Sequence, residues 1–167
     1  MSDTTRTARR VEVREVDWLH PDAVALRDAM SAEIDPRYAD RRLTMPPPPE
    51  MTVDPADLAY VGVAYRDGDA VGHIAVRHLA GDLEVKRMFV AAAERGHGIG
   101  RALLVAAEDA ARARGSGRLI LQTGDRQPEA VATYTRAGYT PVPIFAPYLS
   151  LPFSRCFAKD LTPSATP

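Results

Sequence analysis

Apolar and polar positions change period several times along the chain, and each change marks an element. From Val11 to Trp18, Val11, Val13 and Val16 alternate loosely with charged residues, the period of a half-buried strand. Val24, Leu26, Met30 and Ile34 then recur behind Pro21, and proline suits a first helical position. This spacing predicts a helix from Pro21 that ends near Pro36. Residues 46–49 are consecutive prolines, which exclude helix and central strand and predict an extended loop. Leu58–Tyr65 and Ala70–His78 read as strands joined by Arg66-Asp67-Gly68-Asp69, a strong hairpin signal. Gly81-Asp82 turns into the next strand, Leu83–Val90. In a strict two-residue period, Glu84, Lys86, Met88 and Val90 share one face of that strand.

After Gly98 the period becomes helical, with Ile99, Leu103, Ala106, Ala107 and Ala110 on one stripe and Gly115 as the stop. Glu108, one turn before Arg112, reads as half of an exposed pair. Arg118–Thr123 is a compact apolar strand suited to a central place. Pro128 opens a second helix that runs to Ala137 and stops at Gly138. Tyr139–Ile144 and Ser154–Leu161 read as the last strands, separated by a stretch rich in proline and aromatics. The predicted class is α/β or α+β, one sheet flanked by helices, in a single domain over residues 11–161. Residues 1–10 and 162–167 read as flexible ends. Pattern alone leaves a parallel and a mixed sheet both open.

Composition narrows the functions. A length of 167 residues suits one domain with a sizeable core. A net charge of −1 gives no electrostatic case for nucleic acid or a membrane surface. No apolar run is long enough to span a bilayer, and the polar amino terminus lacks a signal core, so a cytoplasmic protein is expected. The single cysteine, Cys156, excludes an internal disulfide and reads as a buried, inert thiol. His20, His73, His78 and His97 have no ligand spacing, so no metal is expected.

The chemistry concentrates where the strand ending at Val90 turns into the helix after Gly98. Such a turn presents free backbone N–H groups at the positive end of a helix dipole, an anion site. Gly96, Gly98 and Gly100 let a phosphate approach the backbone, and Arg95 and Arg101 flank it. A plain tight turn is the alternative. Gly100 is followed by Arg101-Ala102, which is no P-loop. Arg101 or Leu103 stands where a dinucleotide fingerprint needs a small residue.

Arg95-Gly96-His97-Gly98-Ile99-Gly100 instead resembles the acyl-CoA signature Arg/Gln-x-x-Gly-x-Gly/Ala of the GNAT family of N-acetyltransferases. Met88-Phe89-Val90 matches the strand end before that signature. The stretch from Glu129 to Tyr139 resembles the family's second cofactor segment, with Gln127 where the family often has asparagine. The resemblance extends from Val11 to Leu161. It implies a mixed sheet whose fourth and fifth strands are parallel and splayed, with acetyl-CoA as co-substrate. The cofactor-binding residues it implies are Met88, Phe89, Val90, Arg95, Gly96, His97, Gly98, Ile99, Gly100, Arg101, Gln127, Ala130 and Tyr134.

Acyl transfer from a thioester to an amine needs a deprotonated amine, a donor for the oxyanion and a proton for the leaving thiolate. Glu84 is the candidate base, or else an exposed carboxylate paired with Lys86 or Arg87. His73 or His78 is an alternative base. The resemblance implies the backbone N–H of Met88 or Phe89 as oxyanion donor. Tyr134 is the candidate acid, or else a core tyrosine beside Val131. Phe145 and Tyr148 are expected to line the acceptor pocket, or else to seal the core beneath the last strand. The resemblance also has the loop around the prolines shape that pocket. The expected activity is acetyl transfer by direct attack of a primary amine in a ternary complex. No run of like charge marks an acidic or basic groove, which favours a small-molecule acceptor. The rivals are a non-catalytic acyl-CoA-binding module and an acetyltransferase acting on a protein amine. A homodimer is compatible with this reading.

Overall fold

The structure, a computed structural model, describes residues 10–162. The alternating stretch from 58 to 90 folds into β2 (Leu58–Arg66), β3 (Asp69–Leu79) and β4 (Asp82–Val90), an antiparallel meander. Its hairpins turn through paired left-handed residues, Asp67-Gly68 (φ 53 and 88) and Ala80-Gly81 (φ 48 and 88). That backbone matches the right-handed twist of the flanking strands. β1 (Val11–Glu15) pairs antiparallel with β2. The chain then crosses over through α2 (Ile99–Ala113) to β5 (Arg118–Gly124), which lies parallel to β4. β7 (Ser154–Asp160) and β6 (Thr140–Val142) complete a mixed sheet of seven strands, in the order β1-β2-β3-β4-β5-β7-β6.

Each face of the sheet has its own cover. α2 lays Ile99, Leu103, Leu104, Ala107 and Ala111 on Ile74, Val76, Leu83, Val85 and Leu121, and α3 (Pro128–Arg136) adds Tyr134. A buried leucine or isoleucine contributes about 1.5–3 kcal/mol, so this stripe anchors the crossover. On the other face α1 (Pro21–Thr44) packs Ala23 and Leu26 against Val61, Val63, Ala75 and Phe89.

β4 carries the irregularity that shapes the site. His73 pairs with Phe89 and Ala75 with Lys86, two steps along β3 against three along β4. The extra residue is a bulge, and Arg87 within it has φ 53. The bulge reverses the alternation expected along this strand. Val85, Met88 and Val90 pack with α2 and α3, and Phe89 packs under α1. Glu84 and Lys86 therefore do not share a face with Met88 and Val90. On its other edge β4 pairs with β5 at three positions only, ending at Val85 and Leu121. Beyond them the strands part, and backbone groups that β4 turns toward β5 have no ladder partner.

His73 is fully buried behind the bulge. Its Nδ1 lies 2.8 Å from the Arg87 carbonyl and its Nε2 lies 3.1 Å from the Arg27 guanidinium. A carbonyl needs a donor and a guanidinium needs an acceptor, so the proton sits on Nδ1. Burial first, with the nearby Arg27 and Arg87 charges, pushes the imidazole down to about 4 against the opposing bond to the carbonyl.

Several elements differ from the sequence-based expectation. α1 does not end near Pro36 but continues to Thr44. Pro36 is exposed, so the Ala32 carbonyl that loses its partner can turn to water. Beyond it Tyr38 is buried and stacks on Phe153 at 6.2 Å, and Arg41 and Asp125 pair at 2.9 Å. These tertiary contacts offset the missing hydrogen bond. Glu108 is not half of an exposed pair. It is buried and accepts hydrogen bonds from Lys159 (2.8 Å) and Tyr139 (3.2 Å), while Arg112 pairs with Asp109. The strand expected over 139–144 shrinks to Thr140–Val142. Apart from Arg10 and Thr162, the ends read as flexible lie outside the described residues.

The histidine behind the bulge yields a stability prediction. The unfolded chain holds its proton up to about 6.5 and the folded chain only up to about 4. Unfolding therefore takes up a proton in this window, and stability is full above pH 6.5 and falls on acidification. By about pH 5 the loss amounts to about 2 kcal/mol. His73→Gln keeps a donor and an acceptor and should flatten the melting temperature across that window. Equal slopes in wild type and variant would remove His73 from the acid response.

Candidate active site

The turn after β4 passes through a short 3-10 segment, Ala92–Glu94, to Gly98, the N-cap of α2, at φ 77. No side chain caps the helix there, and the first intrahelical bond is from Ala102 to Gly98. The N–H groups of Ile99, Gly100 and Arg101 are thus left open at the positive end of the dipole. Gly100 serves a different purpose, since an added Cβ would stand 3.2 Å from Thr133 on α3. A cavity of about 470 Å³ opens on this turn, walled by Arg95, Arg101 and Arg136 among others. Arg95 is shared, because it donates to the Val90 carbonyl (3.0 Å) and pairs with Glu33 of α1 (2.8 Å). His97 is exposed and rests on the Glu94 carbonyl at 3.0 Å.

A second cavity, of about 370 Å³, lies where β4 and β5 part. Met30, Ile34, Met88, Gln127 and Ala130 line both, so the two adjoin. Tyr134 lines the second cavity, with its ring against Tyr139 and Phe157 at 6.1 and 6.3 Å. Among the described residues no sealed side-chain polar atom lacks a partner. The Tyr134 hydroxyl makes no hydrogen bond to them, so it opens on the cavity. Burial alone raises its pKa well above the ordinary phenol range. At the far rim Tyr38 lies over Gly124, where an added Cβ would run into its ring. The Tyr38 hydroxyl accepts from the Arg126 N–H and donates to the Gln127 side chain, both at 3.2 Å.

Beneath the cavity wall sits a buried polar cluster. Glu84 is fully buried; one oxygen accepts from Arg77 Nε and the other from the Tyr148 hydroxyl, both at 2.8 Å. Arg77 also donates to the Glu50 and Thr52 carbonyls, at 2.7 and 3.3 Å, which ties down the loop that follows the prolines. Lys86 Nζ donates to the Tyr148 hydroxyl at 3.0 Å. Burial, then the Glu84 charge, raises the Tyr148 pKa above the ordinary phenol range. Burial pushes Lys86 down to about 8 against the attraction of Glu84.

Of the acid–base candidates, only Tyr134 reaches the cavity. Glu84 does not line it, because Arg77 and Tyr148 occupy both of its oxygens. Phe145 and Tyr148 do not line it either. Tyr148 is fully buried, closing over Glu84, and Phe145 packs edge-on against it at 5.5 Å. Leu151 and Phe153 of the same segment take the wall position. His73 is committed to the bulge. Sequence reasoning missed Tyr38, Lys86 and Arg87, all in the wall. A helix continuing past Pro36 was the unread signal for Tyr38; nothing local marks Arg87. Among the described residues no cluster could hold a metal ion, and no helix is long and apolar enough to cross a membrane.

The comparisons with known proteins agree with this geometry. The family model of the acetyltransferase (GNAT) family matches residues 16–139. An IAA acetyltransferase of Azospirillum brasilense is 41% identical over 112 residues, 66% of this chain and 72% of that protein. A Klebsiella pneumoniae structure described as an acyl-CoA N-acyltransferase superposes with a TM-score of 0.74 at 29% identity, over 91% of this chain and 98% of that one. A GNAT family acetyltransferase of Elizabethkingia anophelis, with acetyl-CoA bound, superposes at 0.64 with 14% identity over 90% and 97%, a likeness of fold alone. With a matching family model over most of its length, an open turn at α2 and a cleft between parallel strands, the chain belongs to the GNAT family of acetyl-CoA-dependent acetyltransferases.

Proposed function

We propose that this chain transfers the acetyl group of acetyl-CoA to the primary amine of a small molecule, by direct attack in a ternary complex. The observation that carries this reading is the Tyr134 hydroxyl, without a partner among the described residues, in the cavity that adjoins the one at the turn. The open N–H groups at the start of α2 hold the pyrophosphate, with Arg101 and Arg136 adding charge. The pantetheine arm runs beside Met88, Gln127 and Ala130 through the gap between β4 and β5. The N–H of Met88 or Phe89, at the bulge, faces the thioester oxygen and stabilises its developing charge. The amine nitrogen attacks the carbonyl carbon; a C–N bond forms, the C–S bond breaks, and the proton shed by the amine passes to water of the cleft, from which the Tyr134 phenol is restored at the end of the turnover. Tyr134 gives its proton to the departing thiolate.

At reference values that transfer is uphill by roughly 2 kcal/mol, from a phenol near 10 to a thiolate whose thiol is near 8.5. Burial of Tyr134 widens that gap, and loss of hydration in the same dry cleft raises the basicity of the thiolate too, which offsets the widening. Glu84, the carboxylate expected to act as base, can reach the acceptor only through Tyr148 and Lys86. A cavity of about 370 Å³ under α1 suits a small acceptor better than a protein surface. The relative named for IAA is consistent with that.

Two variants test this reading. Gly98→Asp keeps a residue type that tolerates a left-handed backbone but sets a carboxylate against the pyrophosphate. Calorimetry should find acetyl-CoA binding about tenfold weaker or worse; unchanged affinity in the folded variant would move the donor site elsewhere. Tyr134→Phe should leave acetyl-CoA affinity intact and lower kcat by about 10²–10⁴, read as free CoA with a thiol reagent across an amine panel. Wild-type kcat at every pH would return Tyr134 to a purely structural place.

A further inference from the structure

The wall of the acceptor cavity carries more positive charge than its own carboxylates balance. Arg41, Arg42, Lys86 and Arg87 line it, and Asp35 is the carboxylate that joins them. Arg42 takes Asp35 at 2.9 Å, and Arg41 takes Asp125. Glu84 beneath the wall is consumed by Arg77 and Tyr148. Lys86 has an uncharged partner, the Tyr148 hydroxyl. The Arg87 guanidinium makes no hydrogen bond or ion pair with any described residue, although most arginines around it are paired. Behind the bulge Arg27 adds a further cation, fixed on His73 Nε2 and the Trp18 carbonyl.

The presentation of Arg87 is built into the strand. Its backbone is left-handed (φ 53), a region that a non-glycine residue seldom adopts. The His73 bond to its carbonyl holds that conformation. An unpaired guanidinium on a fixed backbone is a pre-organised fork for an oxyacid. It stands one residue from Met88, at the point where the donor thioester is read to lie. An acceptor with nothing but an ammonium would meet these cations with repulsion. One that also carries an acid group would neutralise them.

We propose that the acceptor amine also bears an oxyacid group, a carboxylate or a phosphonate, and that Arg87 binds this group with Lys86 beside it. This rests on the reading of the chain as a small-amine acetyltransferase and names the class of amine. It makes Arg87 a specificity residue that touches the substrate away from the reacting atoms.

The test uses matched acceptors with the whole chain and acetyl-CoA: α- and ω-amino acids, the amines left by removing their carboxylates, and the corresponding aminophosphonates. Free CoA is the readout. The acid-bearing members should show a kcat/KM higher by about tenfold or more, carried mainly by KM. Arg87→Gln should collapse that ratio, with acetyl-CoA affinity by calorimetry unchanged, and Arg87→Lys should restore part of it. A carboxylate or a phosphonate preference tells which oxyacid is read. Equal or better use of the decarboxylated amines by wild type overturns the inference and leaves acetyl transfer standing. So does an unchanged ratio in a folded Arg87→Gln protein. If acetyl-CoA binds and no amine of either kind releases CoA, the small-amine reading fails and takes this inference with it.

Discussion

The single extra residue in β4 is the constraint on which the site depends. A strand that alternated without interruption would keep Glu84, Lys86, Met88 and Val90 on one side. The bulge at Arg87 and Met88 divides them. Glu84 and Lys86 stay with the polar layer under α1, and Met88 and Val90 move to the side where α2 and α3 pack. The same irregularity lies just beyond the last pairing with β5, at Val85. The sheet is therefore opened and its backbone re-aimed at one place. A left-handed arginine costs about 1–2 kcal/mol, which the buried bond from His73 and the surrounding core must offset. Strain kept at a cleft in this way fits a functional position better than a purely structural one.

The second device is the Arg77–Glu84 pair. A buried ion pair by itself contributes little, since desolvation of two charges cancels much of their attraction. Its worth here lies in what else it satisfies. Arg77 donates to the carbonyls of Glu50 and Thr52, and Glu84 accepts from Tyr148. Two irregular segments, the loop after the prolines and the one before β7, are thereby fixed on the central strands. Both border the cavity of about 370 Å³ through Pro47, Met51, Thr52, Leu151 and Phe153. Loss of either charged partner would leave the other buried and uncompensated, at a cost of about 3–5 kcal/mol. A fall in activity after mutation of Glu84 is thus not by itself evidence of a base.

α1 closes the cavity from above, and its outer half is held by charge and stacking, not by apolar burial. Tyr38 stacks on Phe153 of the segment before β7, and Arg41 with Asp125 and Arg126 with Asp40 connect it to the loop between β5 and α3. That loop supplies Gln127, which lines both cavities. Cover and donor cleft are consequently one mechanical unit. Arg95, paired with Glu33 of α1, extends the same linkage to the pyrophosphate turn.

The sequence by itself determined most of the fold and the geometry of the turn that is proposed to take the donor. Strand periods, the Asp67-Gly68 turn, the turn at Gly81 and the glycine stops are local, and local chemistry decides them. The turn from Arg95 to Arg101 was legible because Gly96 and Gly98 answer a local demand for positive φ and the free N–H groups follow from the start of a helix, whereas Gly100 answers to the packing of α3. Tyr134 was legible from its place one to two turns into α3. The shape and lining of the cavity proposed for the acceptor were decided by tertiary structure alone. Pro36 ends a helix in isolation, but contacts made by Tyr38 and Arg41 to residues more than eighty positions away carry it on. Net charge near neutral gave no hint of an unpaired cation in the cavity wall, because the wall's cations come from separate elements and the carboxylates near them go to Arg41, Arg42 and Arg77. A bulge is a mismatch between two strands, and neither strand carries it alone. Arg87 reads as an ordinary strand residue until pairing with β3 leaves one residue too many.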